Sequence, residues 1–190
     1  MKKRCGWVND DPIYIKYHDE EWGIPIHDDR KLFEFLVLEM FQAGLSWITI
    51  LKKRENFRKA FDNFDPVKIS KYEENKIEKL MENKGIIRNR KKIEAVINNA
   101  KAFLKIQQEF GSFDKYLWQF VDNKPIVNSW ADDSLIPSKT KLSEKISKDM
   151  KKRGFIFFGP TICYAYMQAV GMVNDHTKDC FRYKEIIERY

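Results

Sequence analysis

The sequence predicts an all-α fold, and three features of the chain point to it. Alternating apolar and polar positions, the mark of a half-buried strand, are scarce along the 190 residues. Helix starts and stops recur instead, as capping side chains ahead of apolar runs and glycines behind them. The uncharged run from Phe155 to Val173 is long enough to suggest a membrane span. Gly159-Pro160 interrupts it, which leaves a core helix of roughly a dozen residues.

The first clear helix is expected to begin near Asp28 or Asp29, either of which can accept the orphan amides of a first turn. It runs through Leu32 and Phe41 to Gly44 and is apolar almost all round, hence central; Glu34 lies about 140° from Glu39 on the helical wheel and is read as facing solvent. Ser46 is a candidate cap for a helix from Trp47 to about Phe61, with Lys52-Lys53-Arg54 on its outward side. Asp65-Pro66 places a cap ahead of a proline at the first helical position. A polar helix from about Glu73 to Glu82 leads through Gly85 into a long one from about Asn89 to Phe110, where Ile93, Val96, Ile97, Ala100, Phe103, Leu104 and Ile106 mark one buried face. Ser112 caps a short helix through Leu117, Trp118 and Phe120, a looser stretch with Pro125 and Pro137 follows, and a basic helix from Lys141 to Arg153 stops at Gly154. The core run ends at Gly171, and Phe181 to Tyr190 reads as a short amphipathic surface segment. With no repeat or linker to divide it, the chain 1–190 reads as a single globular unit, its helical core spanning about 28–171 between terminal segments 1–27 and 172–190.

Composition narrows the class. With 33% charged, 43% hydrophobic and 14% aromatic residues the chain is not disordered. At this length it buries roughly 70% of its unfolded surface, so folding needs no disulfide scaffold. Lys and Arg number 35 against 28 Asp and Glu, a formal charge of +7 that favours a polyanionic partner, nucleic acid before membrane. Three cysteines, Cys5, Cys163 and Cys180, are too few and too odd in number for a secreted framework, which points to the reducing cytoplasm. The stretch Met1 to Trp7 has the charge of a signal peptide but no apolar run behind it, so no export is expected, and the chain is expected to act as a monomer.

Four features could carry chemistry. Cys5 and His18 near one end and His176 and Cys180 near the other make a two-Cys, two-His set; one helical turn between the last two would put imidazole and thiolate on one face, as tetrahedral zinc needs. Four protein ligands would close such a site and make it structural; the alternative is a scatter of ordinary residues, with Cys163 a core thiol and His27 a solvated helix-start residue. Glu39 sits in the most apolar helix and must meet a donor, a cation or a ligand, so it is either a functional carboxylate or a paired structural one. Trp7, Tyr14, Tyr17, Trp22 and Trp47 are either core or the walls of a pocket for an extruded nucleobase. Lys84-Gly85-Ile86-Ile87-Arg88-Asn89-Arg90-Lys91-Lys92 is either a helix-hairpin-helix phosphate clamp or an ordinary connection with a solvated basic face.

Taken in order, these segments resemble the 3-methyladenine DNA glycosylase I family. The resemblance rests on Arg4-Cys5-Gly6-Trp7-Val8, on Asp11 to Gly23, on Leu38-Glu39 followed by Gln42-Ala43-Gly44-Leu45-Ser46-Trp47 and on through Glu55, and on Phe64-Asp65-Pro66. Gly85-Ile86-Ile87-Arg88, Lys151 to Phe155, Thr161 to Tyr164, Met167-Gln168-Ala169 and Val173-Asn174-Asp175-His176 continue it in register, over about residues 4 to 180. It implies an all-α helix-hairpin-helix glycosylase fold whose terminal segments are joined by one structural zinc ion (Zn2+) on Cys5, His18, His176 and Cys180. It implies excision of 3-methyladenine from alkylated double-stranded DNA, with Tyr14 and Trp47 stacking on the flipped base, and Glu39 and Tyr17 bonding its edge. By the same resemblance Leu45 wedges into the gap left by the base, and Gly85, Arg88 and Arg90 hold the DNA. The sequence departs from the family pattern at Met40-Phe41 and Ala165-Tyr166, changes expected at the pocket edge. No lysine is placed as a nucleophile, which favours a single-function hydrolase over a lyase. The competing classes are a non-catalytic binder of alkylated DNA, distinguished only by turnover, an RNA-binding module, which would bring stacking platforms or repeats, and a zinc hydrolase, against which a closed site argues.

Overall fold

Ten α-helices and one pair of two-residue strands make up the regular structure of the computed structural model, apart from short 3-10 turns, over the described residues 2–189. The first helix, α1 (Pro12–Glu20), was not expected, yet its start repeats the Asp-Pro signal read at Asp65-Pro66: the Asp11 carboxylate accepts from the Ile13 amide at 3.0 Å and Pro12 opens the helix. Of its nine residues only Tyr17 and His18 are buried, so apolar periodicity passed it over. Helix α2 (Asp29–Gln42) is capped by Asp28 and buries every residue from Leu32 to Phe41. Ser46 precedes α3 (Trp47–Ala60) in an extended conformation, but its hydroxyl meets that of Thr49 at 2.7 Å and caps no backbone amide.

Helix α4 (Pro66–Ile69) follows, then α5 (Glu74–Glu82) and the long α6 (Arg90–Phe110), which Asn89 caps and Gly111 closes at φ +86. Helices α7 (Phe113–Trp118), α8 (Lys141–Lys152) and α9 (Pro160–Ala169) fall close to expectation. Strand β1 (Ile126–Val127) pairs in parallel with β2 (Val173–Asn174), and at two residues each neither could show an alternating pattern. The core forms where α2 meets α3, α6, α7 and α9. Phe33 packs on Phe103 at 4.9 Å and Phe41 on Phe57 at 4.8 Å between ring centres, each buried ring contributing roughly 1.5–3 kcal/mol.

Two expectations are corrected here. Glu34 does not face solvent, and Arg54 does not point outward: the Arg54 guanidinium donates to Glu34 at 2.6 Å and to Glu21 at 2.7 Å, and Arg58 adds a second cation on Glu34 at 2.7 Å. A carboxylate buried where α2 crosses α3 is tolerable because charge-assisted bonds replace its water. The tail is the short amphipathic segment expected at the surface: α10 (Phe181–Ile187) turns Arg182 and Ile186 inward and leaves Lys184, Glu185 and Ile187 exposed.

The ends of the chain meet. The Phe181 amide donates to the Lys3 carbonyl at 2.9 Å, and Lys3 pairs with Asp179. Residues 23–26 cross the end of α9, with the Gly23 amide on Gln168 at 3.1 Å and the Ile26 amide on Val170 at 3.0 Å. Gly171 permits this approach: its φ is +74, and a Cβ there would lie 2.3 Å from the Ile24 and Pro25 backbone.

Candidate functional site

Helix α1 packs on α3, and a cavity of about 300 Å³ opens between α1 and the end of α2. Tyr14 and Tyr17 of α1, Glu39 and Gln42 of α2 and Trp47, the first residue of α3, form one side of it. Trp7, Trp22 and, from the later chain, Asp133, Ile136, Ala165 and Gln168 complete it. The aromatic residues that the sequence left open between core and pocket do both: Tyr17 is 3% exposed, yet it lines the cavity. The rings meet edge-on or tilted, Trp7 with Tyr14 at 5.2 Å and with Trp22 at 5.1 Å, Tyr17 with Trp47 at 5.4 Å.

Glu39 is 3% exposed, and its Oε2 has no hydrogen-bond partner among the described residues. Burial alone pushes its carboxyl up to about 8. Burial, and after it the Glu39 carboxylate, push the Tyr17 phenol well above its usual range. Six buried side-chain polar atoms lack a partner among the described residues, and four of them belong to this cavity: Trp7 Nε1, Glu39 Oε2, Trp47 Nε1 and Asp133 Oδ1. An apolar, ring-walled cavity with a few unsatisfied donors and acceptors is arranged to hold a flat ligand with a polar edge. Of the departures noted in the sequence, Ala165 lines the cavity, whereas Met40, Phe41 and Tyr166 are wholly buried in the core. Asp133, Ile136 and Gln168 were not foreseen, because a lone Asp or Ile in a loop and a Gln in a helix carry no local signal.

Beside the cavity, Cys5, His18, His176 and Cys180 come together, all buried, their ligand atoms within 4.8 Å of one another. Cys5 Sγ lies 3.4 Å from His176 Nδ1, and Cys180 Sγ lies 3.4 Å from His18 Nε2 and 3.5 Å from His176 Nδ1. Bond lengths of about 2.3 Å to sulfur and 2.0–2.1 Å to nitrogen give a tetrahedral edge near 3.5 Å, so the set fits a zinc ion. The hydrogen bond between the two thiols is the largest cause holding Cys5 above and Cys180 below the usual thiol range. Protonation also fits. His18 Nδ1–H donates to Asp19 at 2.8 Å and His176 Nε2–H donates to the Trp22 carbonyl at 3.0 Å, so each imidazole turns its bare nitrogen to the centre. His176 and Cys180 meet across a turn rather than along a helix, a correction to the helical spacing: α10 begins only after Cys180. Trp7 lies against the His18 ring at 5.3 Å and Trp22 against His176 at 4.6 Å, so the cluster also fixes two walls of the cavity.

On the flank of α2, Gly44 takes φ +81 and Leu45 stands 40% exposed. The connection 83–89 between α5 and α6 is tied down by the Asn83 side chain, which accepts from the Gly85 amide at 2.8 Å, and by Lys53, which donates to the Lys84 carbonyl at 3.2 Å. A Cβ on Gly85 would come within 2.9 Å of Asn83 Oδ1. The run of cations is not one solvated face. Arg88 is exposed with no ion-pair partner among the described residues, Arg90 pairs with Glu74, Glu78 and Glu94, and Lys92 is buried. The Lys92 ammonium, pushed down by burial, donates to the Phe41 carbonyl at 2.9 Å and the Ala43 carbonyl at 2.6 Å, capping α2.

Comparison with known proteins agrees with this geometry. The model of the methyladenine glycosylase family matches residues 7–183. The chain is 52% identical over 181 residues to DNA-3-methyladenine glycosylase 1 of Escherichia coli, covering 95% of this chain and 97% of that one. A crystal structure of 3-methyladenine DNA glycosylase I superposes with a TM-score of 0.92 at 53% identity, over 94% of this chain and 98% of the other. The Staphylococcus aureus 3-methyladenine DNA glycosylase I, solved to explain its recognition of 3-methyladenine, superposes with a TM-score of 0.91 at 40% identity, over 94% and 95%. With the family's model matching residues 7–183 of this chain and half of the residues shared with a curated member, the chain belongs to the methyladenine glycosylase family and is a glycosylase.

Proposed function

We propose that the protein excises 3-methyladenine from alkylated double-stranded DNA, acting as a cytoplasmic monomer. The observation that carries this is the Glu39 carboxylate, buried without a partner for Oε2 in a cavity walled by Tyr14, Tyr17 and Trp47. The purine would enter by rotating out of the duplex. Tyr14 and Trp47 stack on it, while Glu39 and Tyr17 bond its edge. Methylation at N3 makes the purine cationic. Beside that charge the Glu39 carboxyl ionises more readily, which reverses the effect of burial and favours the cationic base over ordinary adenine. A water oxygen then bonds to C1′ as the bond from C1′ to N9 breaks; the electron pair stays on the purine, which leaves neutral, and the water proton passes to solvent. No lysine is among the residues lining the cavity, which supports hydrolysis to an abasic site over a lyase reaction.

The DNA would be held by α5, the connection 83–89 and α6 acting as a helix-hairpin-helix clamp: the Gly85 backbone approaches a phosphate, with Arg88 and Arg90 adding charge. Leu45, exposed on its glycine turn, would fill the gap left by the extruded base. Cys5, His18, His176 and Cys180 would hold one zinc ion, which, with four protein ligands, supplies cross-linking and no reaction chemistry. The test is to incubate the purified protein with methylated duplex DNA and identify the bases released. Free 3-methyladenine, with 7-methylguanine left in the duplex, is the expected result; no release from DNA that the protein binds would overturn the assignment.

A further inference from the structure

Asp133 has no place in that mechanism, yet the fold goes to some length to deliver it. It begins a 3-10 turn, Asp133–Leu135, which Asp132 caps by accepting from the Ser134 amide at 2.8 Å. The preceding loop is pinned where the Trp130 indole donates to Asp175 at 2.8 Å and the Lys178 amide to the Trp130 carbonyl at 2.9 Å. One oxygen of the carboxylate, Oδ2, accepts from the Trp7 backbone amide at 2.9 Å. The approach depends on Gly6, where a Cβ would lie 2.8 Å from that same oxygen. An anchor for Trp7 needs one oxygen only. The other, Oδ1, is buried at the cavity wall and has no partner among the described residues, a condition that is costly unless something else meets it.

We propose that Asp133 is a specificity-determining residue of the cavity: fixed through Oδ2 by the Trp7 amide, it presents Oδ1 as a second acidic acceptor that selects a cationic base over a neutral one. The inference rests on the cavity being the base site. Glu39 reaches the cavity from α2 and Asp133 from the loop before α8, so a bound ring meets negative charge from two elements that do not depend on each other. A cationic purine gains from both charges in a cavity walled largely by apolar rings, whereas a neutral purine gains only the hydrogen bond.

The test compares a duplex carrying cationic 3-methyladenine with the same duplex carrying its neutral 3-deaza isostere. Asp133→Asn keeps an acceptor for the Trp7 amide and removes the charge. It is expected to lower kcat/KM for 3-methyladenine release roughly tenfold or more while binding of the neutral duplex changes less than about twofold. Asp133→Glu, which keeps the charge, is expected to restore part of the rate. Equal losses on both duplexes would make Asp133 an anchor for Trp7 alone, and no loss on either would remove it from the site; each overturns the inference. A wild-type protein that neither releases 3-methyladenine nor binds the isostere would overturn the base-site reading itself, a failure visible before any variant is made.

Discussion

Glu39 and Asp175 are both shut away from solvent, at 3% and 1% exposure, and they sit under opposite conditions. Asp175 accepts from the Tyr164 hydroxyl at 2.5 Å, Gln168 at 2.8 Å, Asn128 at 2.6 Å and Trp130 at 2.8 Å. Glu39 Oε2 accepts from no described residue. A carboxylate with four donors joins α9 to the loop before α8 and to the turn that carries His176. One with an idle oxygen in a ring-lined cavity holds nothing together. Such a group is tolerated where binding supplies the missing partner, and that contrast separates Asp175, which joins the scaffold, from Glu39.

The contrast can be tested from its strongest point downward. Removing a bound metal with a chelator should lower the thermal midpoint by roughly 10 °C or more and expose Cys5 and Cys180 to a thiol reagent; unchanged melting would show that the four ligands do not support the scaffold. Asp175→Ala, which strands four buried donors, should cost about 3–5 kcal/mol in urea unfolding. A loss under about 1 kcal/mol would erase the distinction drawn from it.

Glu39→Gln should act in the other direction, slowing base release roughly 100-fold with no loss of stability. An unchanged rate would remove Glu39 from the reaction. The pH dependence follows from the raised carboxyl. Because the folded state keeps the proton up to about 8 while the unfolded chain loses it near 4.5, the unfolded state binds fewer protons between those values, and this contribution to stability declines as pH rises through that window. The Gln variant should lack that slope. At the surface the effects are smallest. Arg88→Ala should lower the slope of log affinity against log salt by about one, and Arg90→Ala by less, since three carboxylates already offset Arg90.

Elements with strong local signals were legible from the chain. Asp28 and Ser112 cap α2 and α7 as expected, because a cap is a property of a few adjacent residues. The same signal at Asp11-Pro12 was passed over because the helix behind it is half polar. The Cys and His cluster was legible as residue types, but the turn that joins His176 to Cys180 was not. Glu39 and the ring positions were legible through an apolar helix and a family pattern. What escaped was long-range: the Glu34–Arg54 pair, the burial of Lys92 and the arrival of Asp133 all depend on segments far apart in the chain, which no local pattern records.

Lys92 leaves one further consequence. A single ammonium from the first turn of α6 clasps the last carbonyls of α2, so the connection 83–89 and the Leu45 turn cannot shift independently. If, as proposed, phosphates are gripped at one and a base step is probed at the other, the two contacts would behave as the jaws of a caliper set to one opening. Inspection of DNA would then proceed by moving a fixed gauge along the duplex, and a lesion would be found when the step under Leu45 yields, not when the jaw reshapes itself around it.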